Sequence, residues 1–351
     1  MSNEFREFLK KVGSGSHTSK NLSREDAAAA MRMMLEQEAT PAQIGAFLIA
    51  HRIKRPTGEE LAGMLDAYAA LGPHLEPIAD RVIVLGCPYD GRSRTAPVTP
   101  ITALILAAAG IPVLMHGGDR MGTKYGIPAI EIWQGLGVDW RSMTLARSQQ
   151  ILSNTGLGFV YLPRDFPLAA GLVPYRDQIG KRPPIASLEL MWSPYAGNVH
   201  VVAGFVHPPT EVFFREAFAL RQQAHYTTVK GLEGSCDLPR ARTAIISLSD
   251  SNPQATALSE ETLAWGRLHL HARDYGFAAQ DVPLESETQL IADLQDVVQG
   301  KSSELLQSAI WNGGFYLWRC GASADLAEGI SRAEMLLTQG TVAQKLQELK
   351  T

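Results

Sequence analysis

Apolar and polar positions alternate along the first third of the chain with helical spacing, and the punctuation between the runs is that of helix ends. Ser23 with Asp26 forms an acidic variant of a capping box, Thr40-Pro41-Ala42-Gln43 offers an N-cap, a proline at the first helical position and a glutamine at the third, and Thr57 with Glu60 repeats the box. These signals predict helices over 24–38, 41–54 and 58–71, the last closed by Gly72-Pro73. From Arg81 the pattern changes. Val82-Ile83-Val84-Leu85 is a short, continuous β-rich run, a loop rich in Gly, Pro and Arg extends to Val98, Thr99-Pro100 opens a helix through Ala109, and Pro112 to Met115 reads as a second buried strand. Further strands are expected at 158–162, 200–206 and 227–231, with helical stretches between them. Two helices over 302–317 and 323–337 and a short one from Val342 follow.

This order predicts an α/β chain: a small all-helical domain over residues 1–75, then a large α/β domain over 76–351 with a mainly parallel central sheet. The Gly13-Ser14-Gly15-Ser16 stretch has the composition of a surface linker. The longest apolar stretch, Ile101 to Met115, is broken by Gly110 and Pro112 and falls short of the roughly 20 residues of a spanning helix, so no membrane segment is expected. No apolar leader is visible among the first residues, and a cytoplasmic protein is expected; the formal glycosylation acceptor at Asn21 then has no bearing.

Charge changes the picture only locally. The 351 residues hold 32 Lys plus Arg against 36 Asp plus Glu, a formal charge of -4, so no bulk field marks a nucleic-acid binder, although a local basic groove stays open. Cys87, Cys236 and Cys320 are odd in number and share no C-x-x-C spacing, which supports neither a disulfide framework nor a zinc ribbon. Cys87 reads as a small buried residue, having no base adjacent in sequence to activate it. His269 and His271 alternate as if on one strand face, without a third ligand beside them.

Loops leaving the carboxyl ends of parallel strands share one sheet edge, where ligands collect. The loop Gly86 to Thr95 and the loop His116 to Lys124 meet that description. They are expected to bring Arg92, Arg94, Arg120 and Lys124 together, beside glycines that let backbone N–H groups approach a ligand and beside the helix start at Thr99. That constellation suits phosphate, without saying whether the phosphate belongs to a diphosphate sugar or to a nucleic-acid backbone.

Leu22-Ser23-Arg24-Glu25-Asp26-Ala27, the run Ala39 to Leu48 and Glu59-Glu60-Leu61-Ala62-Gly63 resemble the N-terminal helical domain of anthranilate phosphoribosyltransferases; the βαβ region, the segment Pro163 to Pro194 and the tail from Gln339 to Leu346 fit the same family. The resemblance implies a nucleoside phosphorylase/phosphoribosyltransferase type of fold and a homodimer formed through the helical domain, with a contribution to that domain from about 165–195. It also implies a phosphoribosyl diphosphate site in the hinge cleft. Its signatures assign diphosphate binding to Gly86, Asp90, His116, Gly117 and Arg120, to which the loop reading adds Gly91, Arg92, Arg94, Thr99 and Lys124; the resemblance assigns the acceptor's carboxylate to Arg176, and magnesium to Asp237 with Glu233 nearby.

The motifs depart from the family. Cys87-Pro88-Tyr89 replaces the middle of a Gly-Thr-Gly-Gly-Asp loop, Met115 replaces the lysine of Lys-His-Gly-Asn-Arg, Gly126-Ile127-Pro128 stands where serines would be, and only Asp237 remains of a paired acidic motif. Proline lacks an N–H, and the lost lysine lowers the positive charge, so efficient transfer to anthranilate is not expected. Two readings follow. One is a divergent phosphoribosyltransferase, a paralogue of the tryptophan-biosynthetic enzyme, in which Asp90, Arg120 and Asp237 serve diphosphate and magnesium and Arg176 holds an undefined acceptor. The other resembles a family branch that binds nucleic acid without catalysis: a homodimer whose Arg92, Arg94, Arg120, Lys124, Lys181 and Arg182 contact phosphates. A purely structural paralogue has no positive feature in its favour.

Overall fold

The computed structural model describes residues 3–15, 17–249 and 266–350. Four helices open the chain: α1 (Asn3–Gly13), α2 (Arg24–Leu35), α3 (Pro41–Lys54) and α4 (Gly58–Leu71). Both full capping boxes form, Thr40 with Gln43 and Thr57 with Glu60, while Ser23 caps Asp26 N–H from one side only. Helix α2 stops earlier than expected because Gln37 adopts φ 58°, which turns the chain so that the N–H groups of Glu38 and Ala39 return to the Met33 carbonyl. Helix α1 lies outside the helices expected from the sequence, although Phe5, Phe8 and Val12, spaced three and four apart, form its buried stripe. Helices α2 and α4 cross at Gly63, where a Cβ would stand 2.0 Å from the Arg24 carbonyl oxygen, so only glycine permits the approach.

The second unit is built on a sheet of seven strands among the described residues, ordered β3-β2-β1-β4-β5-β6-β7. Strands β1 (Val82–Leu85), β2 (Val113–Gly117), β3 (Leu157–Tyr161), β4 (Val199–Gly204) and β5 (Tyr226–Val229) are parallel; β6 (Ala244–Leu248) and β7 (Arg267–Leu270) extend the edge antiparallel. Helix α5 (Thr99–Ala108) is apolar on all sides and correspondingly buried, packed against β2, β3 and the C-terminal helix Glu304–Arg319. Helices α6 (Ala129–Gly135) and α7 (Leu145–Thr155) follow β2, and four short helices, α8 (Leu162–Asp165), α9 (Pro167–Ala170), α10 (Val173–Ile179) and α11 (Ile185–Leu188), follow β3. Helix α12 (Pro208–Leu220) joins β4 to β5. The fold is a small helical bundle joined to a large α/β unit with a mostly parallel sheet.

One apolar cluster surrounds α5 and the C-terminal helices. A second fills the space among α1 to α4 and draws in Phe166, Leu172, Leu188 and Trp192 from the β3–β4 connection and Phe214 and Phe218 from α12. The helical bundle therefore shares its core with the connection that leaves the sheet. Strand order reverses between β1 and β4, because β2 and β3 lie to one side of β1 and β5 to the far side of β4. The crevice beyond the carboxyl ends of β1 and β4 is the favoured ligand position in such a sheet. Among the described residues no helix is long and apolar enough to cross a membrane.

Candidate functional site

Three loops meet at this switch point: Gly86 to Val98 after β1, Gly204 to Pro208 after β4, and Lys230 to Asp237 after β5. The β1 loop folds tightly because Gly86 lies against the Leu190 and Val202 carbonyls, and Gly91, at φ +74°, lies against the Gly126 backbone at a distance that a Cβ would reduce to 2.4 Å. Arg92 then turns inward. Its guanidinium, 3% exposed, sits between two carboxylates, with Nε 3.2 Å from Glu233 and Nη1 2.8 Å from Asp237, and Nη1 also donates to Ser235 Oγ. A phosphate cannot reach it without displacing an internal partner.

Glu233 is held as an anion would be. It accepts the backbone N–H groups of Ser93, Arg94 and Thr95 at 3.2, 3.0 and 3.0 Å, and Lys124 Nζ and Arg94 Nε lie at 3.5 and 3.7 Å. Burial works against its charge, but Arg92, the N–H groups and Lys124 outweigh it and hold the pKa at about 2. Asp237 sits at the start of α5, accepting from Val98 N–H at 3.1 Å and the Thr99 hydroxyl at 2.7 Å. The β1-loop N–H groups and the Thr99 hydroxyl that the sequence offered to phosphate are thus taken by two of the protein's own carboxylates.

The same geometry decides the fit of magnesium. A divalent cation needs carboxylate oxygens turned toward one point, whereas Glu233 and Asp237 turn toward a guanidinium. No group of three or more metal-ligating side chains converges anywhere among the described residues. His269 is exposed on β7, and His271 bonds Thr243 Oγ1 through Nδ1. The residues as arranged do not fit the metal.

Several other expectations are corrected by placement. His116 is fully buried: Nε2 faces the Trp192 carbonyl at 3.0 Å and therefore carries the proton, and Nδ1 accepts from the Tyr89 hydroxyl at 2.5 Å. Burial pushes its pKa down to about 4, so it is a neutral structural group and not a phosphate contact. Arg120 leaves the other cations and pairs with Glu131 at 2.6 Å and Glu287 at 2.5 Å. Arg176 is buried and both Glu189 oxygens accept from its Nη1, at 2.6 and 2.9 Å, which denies that donor to an acceptor's carboxylate. Gly117 ends β2 in register with Tyr161.

Asp90 is the unusual member of the set. Its carboxylate is buried and accepts no hydrogen bond from the described residues, with Arg182 Nη2 standing 3.7 Å away. Arg182 in turn lines an open cleft of about 610 Å3 between the end of α3 and the loop after β4. Arg52 and Arg55 face it from the helical bundle, and His207 and Phe205 from the α/β side. Arg52 Nε also donates to the Arg182 carbonyl at 3.0 Å, which links the two walls. Pro208 and Pro209 open α12 here without N–H groups, so an anion in the cleft would be held by side chains. Arg52, Arg55, His207 and Glu189 were not legible in the sequence: Arg52 and Arg55 end α3, Glu189 follows α11, and His207 lies in the loop after β4, and only the packing of the bundle on the sheet brings Arg52 and Arg55 to that loop. Lys181 is exposed beside Arg182, and the side chain of Arg94 is 76% exposed.

Comparison with known proteins agrees with this architecture. Residues 6–72 match the model of the glycosyl transferase family helical bundle domain, and residues 90–343 that of the family's α/β domain. Anthranilate phosphoribosyltransferases of Rhodopseudomonas palustris and of a Bradyrhizobium strain are 26% and 27% identical to the chain, each over 99% of it and 97% and 98% of their own length. Among solved structures, that of the Thermus thermophilus anthranilate phosphoribosyltransferase superposes with a TM-score of 0.76 at 19% identity over the full length of both chains. That of the Saccharomyces cerevisiae protein in complex with PRPP and Mg gives 0.79 at 16% identity, over 99% of this chain and 97% of the other.

Proposed function

Because the chain belongs to the glycosyl transferase family of a helical bundle joined to an α/β domain, as an anthranilate phosphoribosyltransferase-like member, we propose that it binds a phosphorylated pentose, phosphoribosyl diphosphate in the first instance, in the cleft between its two units. This binding needs no magnesium. The observation that carries the reading is the convergence of Arg52, Arg55 and Arg182 on one cleft at the carboxyl end of β4. Arginine forks bind phosphate oxygens in pairs, and three of them compensate charge that a metal would otherwise meet.

Efficient transfer to anthranilate is not part of the proposal. Glu233 and Asp237, the carboxylates that would hold a metal, are paired with Arg92, and Arg176 spends its Nη1 on Glu189. The six residues offered to a nucleic acid are dispersed: Arg92 is buried and Arg120 is tied to Glu131 and Glu287, which leaves Arg94, Lys124, Lys181 and Arg182.

Calorimetry with phosphoribosyl diphosphate tests the reading, run once in EDTA and once with magnesium, beside a fluorescence assay for phosphoribosyl anthranilate. Binding in EDTA that is lost in the double variant Arg52→Ala/Arg182→Ala, with no efficient turnover of anthranilate, is the expected result. An absolute requirement for magnesium, or rapid turnover, overturns it. A salt-series titration of single- and double-stranded DNA completes the experiment: DNA binding without phosphoribosyl diphosphate binding would replace this reading with the nucleic-acid one.

A further inference from the structure

Strands β6 and β7 run antiparallel, with Ala244 at the start of one in register with Leu270 at the end of the other, so the residues before β6 and those after β7 meet at one corner of the sheet. Between them lies an open cavity of about 620 Å3 that shares no lining residue with the cleft of Arg52, Arg55 and Arg182. Arg240, Arg242, Thr243, His271, Arg273 and Gln280 supply its polar lining, alanines supply the rest, and no carboxylate belongs to it.

Arg240 sets this cavity apart from a patch of solvated cations. Its side chain is only 4% exposed; Nε donates to the Phe277 carbonyl at 3.0 Å, and Nη1 to the Glu304 carbonyl at 2.8 Å and to the Glu304 carboxylate at 2.9 Å. Among the described residues Nη2 has no acceptor, so a fixed, buried head group keeps one donor unspent. Arg242 gives Nη2 to the Gly231 carbonyl at 3.2 Å and has no carboxylate within ion-pair distance among the described residues. Arg273 has Asp274 at 3.6 Å, and His271 meets Thr243 through Nδ1, which leaves Nε2.

We propose that this cavity binds a small phosphate monoester of nucleotide size, with its phosphoryl group held by Arg240, Arg242 and Arg273 and its organic body against the alanine wall. A carboxylate offers two oxygens in one plane, whereas a phosphoryl group presents three in a tetrahedral array, one for each guanidinium. The volume falls in the range of roughly 300–1,000 Å3 typical of small-molecule sites, far more than a bare phosphate fills. Three acids stand near the arginines and outside the lining: Glu304 on Arg240, Asp281 on the Arg240 N–H at 2.7 Å, and Asp274 beside Arg273. Glu304 and Asp274 are 68% and 58% exposed, so water and salt screen their charge, while the arginine donors make direct contact. The inference is independent of the sugar-phosphate reading, since the two cavities are separately lined.

The test is calorimetry with adenosine monophosphate, adenosine and inorganic phosphate, carried out in the Arg52→Ala/Arg182→Ala variant so that the cleft does not compete. Adenosine monophosphate is expected to bind about tenfold or more tightly than adenosine, because the charge-assisted contacts go to the phosphoryl group, and inorganic phosphate to displace it. Adding Arg242→Ala and Arg273→Ala, both at exposed positions, is expected to weaken that binding about tenfold or more. Gln280→Glu places a carboxylate in the lining and leaves the Arg242 bond to Gly231 intact; it is expected to weaken binding too, which guards against a mere loosening of the loop after β5. Adenosine binding as tightly as its monophosphate, or monophosphate binding that withstands both sets of substitutions, overturns the proposal. Phosphoribosyl diphosphate titrated into the wild-type protein and into Arg242→Ala/Arg273→Ala separates this result from the fate of the cleft.

Discussion

Replacing Arg92 with methionine removes the guanidinium and keeps most of the volume. Glu233 and Asp237 are then left facing one another, with side chains only 2% and 1% exposed. Breaking a buried ion pair by removing one partner costs about 3–5 kcal/mol, because the remaining charge stays desolvated. The lower end applies here. Glu233 keeps three backbone N–H donors, and Asp237 keeps Val98 N–H and the Thr99 hydroxyl, so both carboxylates retain donors. A loss of about 3 kcal/mol is therefore expected in urea unfolding followed by tryptophan fluorescence and circular dichroism, with the midpoint lowered and the slope unchanged. Adding Asp237→Asn and Glu233→Gln to Arg92→Met should restore much of the loss, since neutral amides need no counter-charge. A single-variant loss below about 1 kcal/mol, or no recovery in the triple variant, would show that Arg92 is not the keystone of this cluster.

Three further outcomes follow. His116 has a folded-state pKa of about 4, below the unfolded value near 6.5. The neutral ring thus contributes stability that is fully present above about pH 6.5 and is lost as pH falls toward 4, by roughly 3 kcal/mol, and His116→Gln should flatten that limb of the stability profile measured by denaturant titration. Glu233, held at about 2, acts in a lower window: its contribution is present above the usual carboxylate pKa near 4.5 and is lost as pH drops toward 2, so Glu233→Gln should leave the profile between pH 4.5 and 7 unchanged in shape. Gly91→Ala places a Cβ 2.4 Å from the Gly126 backbone at a positive φ, which should cost at least about 1–3 kcal/mol by differential unfolding and loosen the β1 loop, as checked by hydrogen exchange at residues 90–95.

Helix starts and stops were the most legible part of the chain, because capping is local: Thr40 with Gln43 and Thr57 with Glu60 sit three residues apart and form the boxes they spell. Strands β1 to β5 were legible as short β-rich runs. Strands β6 and β7 were not, since an antiparallel edge pairing depends on a partner and not on the local pattern. Charge was legible in kind and not in use. Arg92, Glu233 and Asp237 were each legible as charged candidates, but the contact that joins them spans 141 residues between Arg92 and Glu233 and takes the guanidinium away from any ligand.

The sequence by itself determined the helical bundle, the α/β order, the family resemblance and the presence of phosphate-seeking side chains near the sheet edge, all carried by near-neighbour spacing and by motifs. Only the tertiary structure decided which charges face solvent and which face each other. It turned Arg92, Arg176 and His116 inward, moved Arg120 to Glu131 and Glu287, and brought Arg52, Arg55 and Arg182 from two units to one cleft. The physical reason is desolvation: a buried charge must find a partner wherever the fold supplies one, and that partner's distance along the chain leaves no mark in local sequence.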